Sequence, residues 1–260
     1  MYISVIKEYL YKLLFTSIMK RVILIITLLV MTKHSFSQDM PVSDRFNTTA
    51  GSLEIKFIGH ASLMFTVNNL TIYVDPVRSS GSYEGLPKAD LIMITHEHGD
   101  HLDADLIKTL QKEGTIILSS AKVAESIQSA KVMHPGDENT VKGIGVKAVF
   151  AYNIKNERVP GQPYHPRGVG NGYVLTIGDK KIYVAGDTEN IPEMAELKNI
   201  YIAFLPMNLP YTMTPGMVAE AAKTFKPSIL YPYHYGQTNT SEIVSLLKDS
   251  GIEVRIRNLK

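Results

Sequence analysis

Thr95-His96-Glu97-His98-Gly99-Asp100-His101 is the stretch on which the reading of this chain turns. Three histidines and an aspartate fall within six residues, directly after the apolar run Leu91-Ile92-Met93-Ile94. Imidazole and carboxylate together suit zinc or a similar divalent first-row ion. If the apolar run continues as a strand, His96 and His98 point to one side of it. Ending the strand at Gly99 lets Asp100 and His101 turn towards a second point. The pattern H-x-H-x-D-H then reads as two adjacent metal sites.

Outward from the motif the chain alternates short strands and helices. Upstream, Leu53–Ile58, Ser62–Val67 and Thr71–Val74 read as strands, with a turn at Asn68-Asn69. Ala89–Thr95 is apolar enough for a strand covered on both faces. Downstream, Asp103 caps a helix through Lys112, Thr115–Leu118 is a strand, Ala121–Ser129 a helix and Gly145–Ala151 a strand. Residues 153–171 lack apolar periodicity and are rich in proline, glycine and charge. Such a long loop in a compact domain reads as an active-site loop, and it carries His165. Tyr173–Ile177, Lys181–Ala185, Ile200–Leu205, Ile229–Pro232 and Val254–Ile256 are the remaining strands. Thr214-Pro215 starts a helix to about Phe225, and Ser241–Lys248 is another. Lys56 to Asp75 and Gly172 to Asp187 share a layout: two strands around a turn, then Ile-Tyr-Val and a nearby aspartate.

The motif, with Gly59-His60-Ala61, Val74-Asp75-Pro76, Ala185-Gly186-Asp187-Thr188 and Pro232-Tyr233-His234-Tyr235-Gly236 in the same order, resembles the metallo-β-lactamase-fold superfamily. The resemblance runs from about Leu53 to about Val254. In detail it is similar to the small bacterial metal-dependent hydrolases related to ascorbate-phosphate lactonase and, more distantly, N-acyl-phosphatidylethanolamine phospholipase D. It implies an α/β fold: an αβ/βα four-layer sandwich of two mixed β-sheets with helices outside, and metals in loops at one edge.

It also implies two divalent metal ions. Zinc is the expected ion, with manganese or iron as alternatives. His96 and His98 match the first site, Asp100 and His101 the second, Asp187 the bridging carboxylate and His234 the last histidine of the second site. The third histidine of the first site is missing where the family often has it, because Asn153 stands there. His165 is the expected substitute, and Asn153 itself or a water are the alternatives. Asp75 matches a buried aspartate that supports the histidines. His60 is read as a donor beside the site or a structural residue, and Asn208 and Tyr211 as pocket-lining candidates. The implied reaction is hydrolysis of a small lactone or phosphoester by a hydroxide held between the ions, with Asp100 as the catalytic residue that orients it. A β-lactamase-like amide hydrolase and a non-enzymatic metal-binding module are the alternatives. The aspartate at 187 speaks against the first, since β-lactamases usually carry cysteine or serine there. No Gly-x-Ser-x-Gly elbow offers a serine nucleophile instead.

Lys20-Arg21, the apolar run Val22 to Met31 and the small-x-small site Ser35-Phe36-Ser37 have the layout of a secretory leader. Met19 is a candidate true start. Residues 1–37 are therefore expected to be a leader, with an uncleaved N-terminal anchor as the alternative, 38–52 a linker and 53–260 the hydrolase domain, exported to the periplasm or secreted. The leader holds five basic residues and one acidic one. Removing them from the 27 basic and 25 acidic residues of the chain leaves 22 and 24, a net charge of −2. The apparent basicity thus gives no argument for nucleic acid or anionic lipid as partner, and a small molecule is the expected one. The chain has no cysteine, which excludes a disulfide framework and a cysteine-linked lipid anchor. The 223 residues that remain suffice for one domain with a large core.

Overall fold

The computed structural model describes residues 42–260, besides Ile6, Lys7, Phe15 and Met19, which have helical backbone. The leader reading lies outside the described residues. The first half of the domain contains β1 (Ser43–Thr48), β2 (Gly51–Gly59), β3 (Ser62–Val67), β4 (Leu70–Val74), β5 (Leu91–Ile94), α1 (Ala104–Leu110), β6 (Ile116–Ser119), α2 (Ala121–Ala124) and β7 (Lys131–Val132). After β8 (Glu138–Val141) and β9 (Ile144–Ala151) comes a separate hairpin of β10 (Glu157–Val159) and β11 (Gln162–Pro163). The rest is β12 (Gly170–Ile177), β13 (Lys180–Val184), β14 (Ile200–Pro206), α3 (Pro215–Phe225), β15 (Ile229–Tyr233), α4 (Thr240–Leu247) and β16 (Glu253–Val254).

Two seven-stranded sheets result, ordered β1-β2-β3-β4-β5-β6-β7 and β16-β15-β14-β13-β12-β9-β8. Each begins as an antiparallel meander and ends in parallel strands: β4 to β7 in the first, β13 to β16 in the second. The repeated layout seen at Lys56–Asp75 and Gly172–Asp187 is the hairpin at which each sheet changes direction.

The faces follow from period-two alternation. In β5, Leu91 and Met93 join the core between the sheets, while Ile92 and Ile94 face α1 and α2. The sheets meet through aromatic rings, with Phe57 5.0 Å from Tyr231 and Phe65 6.2 Å from Phe204 between centroids. On the far side Phe225 of α3 meets Tyr183 of β13 edge-on at 5.7 Å. The outcome is the expected four-layer α/β sandwich. Asp103 and Thr214 cap their helices as read, accepting from the N–H groups of Leu106 and Met217.

Three expectations are corrected. Residues 43–48 are not linker but the edge strand β1, held by Asp44, which accepts from Arg257 at 2.7 Å and from Arg255 at 3.2 Å. An edge strand with a solvated face is polar, so its sequence reads as linker. The strand before the histidine motif stops at Ile94, not Gly99, for a reason given below. The helix from Ala121 closes at Ala124. Among the described residues no helix is long and apolar enough to cross a membrane.

Candidate metal centre

The site lies where parallel strands end, the usual place for function in open α/β sheets. Asp75 follows β4, the histidine motif follows β5, Asp187 follows β13 and His234 follows β15. Asp75 explains why β5 stops early. Its carboxylate is fully buried and accepts from the Thr95 N–H at 2.7 Å and the Thr95 hydroxyl at 2.7 Å. It thereby takes Thr95 off the strand ladder, and residues 95–101 form a loop whose His98 carbonyl accepts from the N–H of His101. Strand alternation therefore does not aim His96 and His98; the loop does, and their rings converge to 4.7 Å.

Two clusters of donor atoms form. His96, His98 and His165 make the first, and His60, Asp100, His101 and His234 the second. Asp187 stands between them. Its Oδ2 lies 3.3 Å from His165 Nε2, 3.4 Å from His234 Nε2 and 3.9 Å from His96 Nε2, and its Oδ1 lies 3.3 Å from His101 Nε2. Asp100 Oδ2 lies 3.3 Å from His234 Nε2 and 3.2 Å from His60 Nε2. Gly186 permits this placement: it has φ +66°, and a Cβ there would stand 2.8 Å from the Asn171 carbonyl oxygen.

The hydrogen bonds behind the rings set their tautomers. His101 Nδ1 donates to Asp75 at 2.8 Å, and His165 Nδ1 to the Asn153 amide oxygen at 2.8 Å. His96 Nδ1 donates to the Thr95 hydroxyl at 3.0 Å, and His60 Nδ1 to the Lys260 carbonyl at 2.8 Å. Four imidazoles thus turn Nε2 towards carboxylate oxygens and towards each other. His101 Nε2 and Asp187 Oδ1 are buried without a hydrogen-bond partner. Either a proton on His101 or a metal ion must stand between them, and the imidazoles and carboxylates converging there fit divalent metal ions.

Electrostatics agree. Burial pushes the His96 and His98 pKa values down, helped by neighbouring histidine charge, which keeps both rings neutral and able to ligate. Burial would raise Asp187, but His234 and His101 hold it well below the usual carboxylate range. Burial likewise opposes the charge on His101, yet Asp187 and Asp75 hold its pKa well above the usual value. His60, Asp75 and His234 all have positive φ, between 45° and 49°. Such backbone is uncommon for these residue types and gathers at functional sites.

The structure brings together every residue singled out in the sequence. His165 reaches the first cluster, its Nε2 3.2 Å from His98 Nδ1. Asn153 stands behind it and also donates to the Tyr211 carbonyl at 2.8 Å. Asn208 and Tyr211 line a cavity of about 370 Å³ over the clusters, with Tyr164 and Arg158. Arg158 and Tyr164 escaped the sequence reading because a lone arginine and tyrosine in a polar loop carry no periodic signal. Glu189 escaped too. It is buried and accepts from the N–H groups of Lys155 and Asn156, fixing the base of that loop.

Residues 54–234 match the model of the beta-lactamase superfamily domain. The chain belongs to that superfamily and to its metal-dependent hydrolases of the metallo-β-lactamase fold. A UPF0173 metal-dependent hydrolase of Thermococcus kodakarensis is 30% identical over 196 residues, covering 70% of this chain and 84% of the relative. One from Methanopyrus kandleri is 26% identical over 226 residues, covering 78% and 95%. A crystal structure from Parabacteroides distasonis, named as a metal-dependent hydrolase, superposes with a TM-score of 0.81 at 49% identity, covering 85% of this chain and all of that one.

Proposed function

We propose that this protein hydrolyses a small lactone or phosphoester with two divalent ions, one in each cluster, bridged by Asp187. The observation that carries this reading is the Asp187 carboxylate, whose oxygens reach both clusters within 3.4 Å. When bound, two ions supply an acidified water as nucleophile and a Lewis acid for the carbonyl or phosphoryl oxygen. The chain does the rest. His96, His98 and His165 hold the first ion and His101, His234 and Asp100 the second. Asp100, half exposed at the cavity, also accepts and orients the proton of the attacking water.

Arg158 supports a substrate with an anionic group. It is the only lysine or arginine lining the cavity, and no carboxylate pairs with it among the described residues. Its guanidinium lies 2.8 Å from His98 Nε2. A guanidinium only donates, and an imidazole ligating through Nδ1 carries its proton on Nε2. With the first cluster loaded, Arg158 turns from His98 to the cavity, where it meets the substrate.

Metal analysis is expected to find two ions per chain, with phosphodiester or lactone reporters turned over and β-lactams left intact. Asp187→Ala is expected to lose both the second equivalent of metal and turnover. Activity near that of the parent in this variant refutes the bridging role.

Export is proposed on the leader layout alone. Mass spectrometry of the exported protein is expected to find a chain starting at Gln38; an intact N-terminus in the membrane fraction overturns it.

A further inference from the structure

His60 lies outside the histidine motif and sits directly after β2, in left-handed backbone at φ +49°. Its carbonyl accepts from the His234 N–H at 3.2 Å, and the two rings lie 4.0 Å apart. Its two nitrogens face different partners. Nδ1 meets the backbone carbonyl of Lys260, which can only accept. A neutral ring therefore carries its proton on Nδ1 and presents a lone pair at Nε2. That lone pair points at Asp100 Oδ2, 3.2 Å away, and Asp100 in turn faces His234. The ligating atoms of His60, Asp100, His101 and His234 all lie within 4.8 Å of one another. A cation among them satisfies every one.

We propose that His60 is a third imidazole ligand of the second cluster, held in register by the Lys260 carbonyl. The inference rests on the reading that this cluster holds an ion. With His60, the second cluster offers three ring nitrogens and an Asp100 oxygen, four protein donors in all. The first offers the ring nitrogens of His96, His98 and His165. Three imidazoles and a water suit tetrahedral zinc, whereas a fourth protein donor with added waters suits a six-coordinate ion such as manganese or iron. The two halves of the site therefore differ in metal preference, the second favouring the larger coordination number.

His60→Asn tests this cleanly. Asparagine tolerates left-handed backbone, and its amide nitrogen replaces Nδ1 as donor to Lys260. Only Nε2 is lost. The full chain is loaded with manganese or cobalt, and the histidines around the second ion are counted by pulsed electron paramagnetic resonance. Three are expected in the parent and two in His60→Asn, with affinity at this position falling about 10–100-fold or more and selectivity moving towards zinc. Three histidines in neither protein, or an unchanged count in the variant, overturns the proposal while leaving the two-ion reading intact. A parent chain that takes up no ion at this cluster removes both together. Affinity alone does not decide, since a proton donor to Asp100 also supports binding; the ligand count does.

Discussion

The two halves of the metal centre are built from different materials. His60, Asp100, His101 and His234 sit at strand ends or in the tight turn after β5, and fully buried Asp75 anchors that turn. The half formed by His96, His98 and His165 borrows one member from the segment between β9 and β12, where the small hairpin β10–β11 pairs with neither large sheet. Asn153 and Glu189 hold the base of that segment through hydrogen bonds. A donor fixed by a sheet is placed by the fold itself. A donor on a loop is placed by a few polar contacts, and it can move with whatever enters the cavity. The comparison teaches that the second half is part of the scaffold and the first is completed by a segment that also carries cavity-lining Arg158 and Tyr164.

The strongest way to break this contrast is Asp75→Asn, because Asp75 lies beneath both halves. It holds Thr95, whose hydroxyl accepts from His96 in the first half, and it holds His101 in the second. An asparagine turns an N–H group towards the Thr95 hydroxyl and the His101 ring, which donate to that oxygen in the parent. With the amide nitrogen in place of Oδ2, two of the three buried bonds are disturbed, one of them to a histidine, and losing one partner of a buried charged pair costs about 3–5 kcal/mol. Chemical unfolding in the presence of a chelator is expected to show a loss of that size. A loss below about 1 kcal/mol would show that the turn stands without Asp75, and the scaffold account of the second half would fail.

Most of the scaffold half was legible in the sequence. His101, Asp187 and His234 each follow an apolar run that can only be a buried strand, so residue type and position point the same way. What failed locally failed through tertiary competition. The apolar run before His96 has all the propensity to continue as strand, yet a carboxylate twenty residues upstream captures Thr95 and ends it. β1 was missed because an edge strand paired through Asp44 to Arg255 and Arg257 shows polar composition and no apolar alternation. His60 read as a neighbour of the site rather than a member, because its role depends on a carbonyl 200 residues away. The loop half was legible only in outline. A histidine in a Pro/Gly-rich segment signals function, but nothing local says which way it faces.

A smaller effect sharpens the contrast within the loop half. Asn153 occupies the place where a metal-binding histidine is expected, and the structure gives it another task. Its amide oxygen accepts from both the backbone N–H of His165 at 2.7 Å and the ring Nδ1 at 2.8 Å, while its amide nitrogen donates to Tyr211. It is the carbonyl partner that fixes the tautomer and angle of a histidine whose Nε2 faces the first cluster. If His165 ligates, His165→Ala removes a donor outright and is expected to weaken the first ion by about 100-fold or more, whereas Asn153→Ala loosens the ring and costs about 10-fold. Asn153→Asp keeps both acceptor bonds but turns an oxygen towards the Tyr211 carbonyl and the Glu189 carboxylate, so it is expected to restore only part of that loss. Neither position touches the second half, whose affinity is expected to stay unchanged in all three variants. Competitive metal titration tells the two halves apart. A larger loss in Asn153→Ala than in His165→Ala would make Asn153 the ligand, and equal losses in both halves would show that the loop is as much scaffold as the strands.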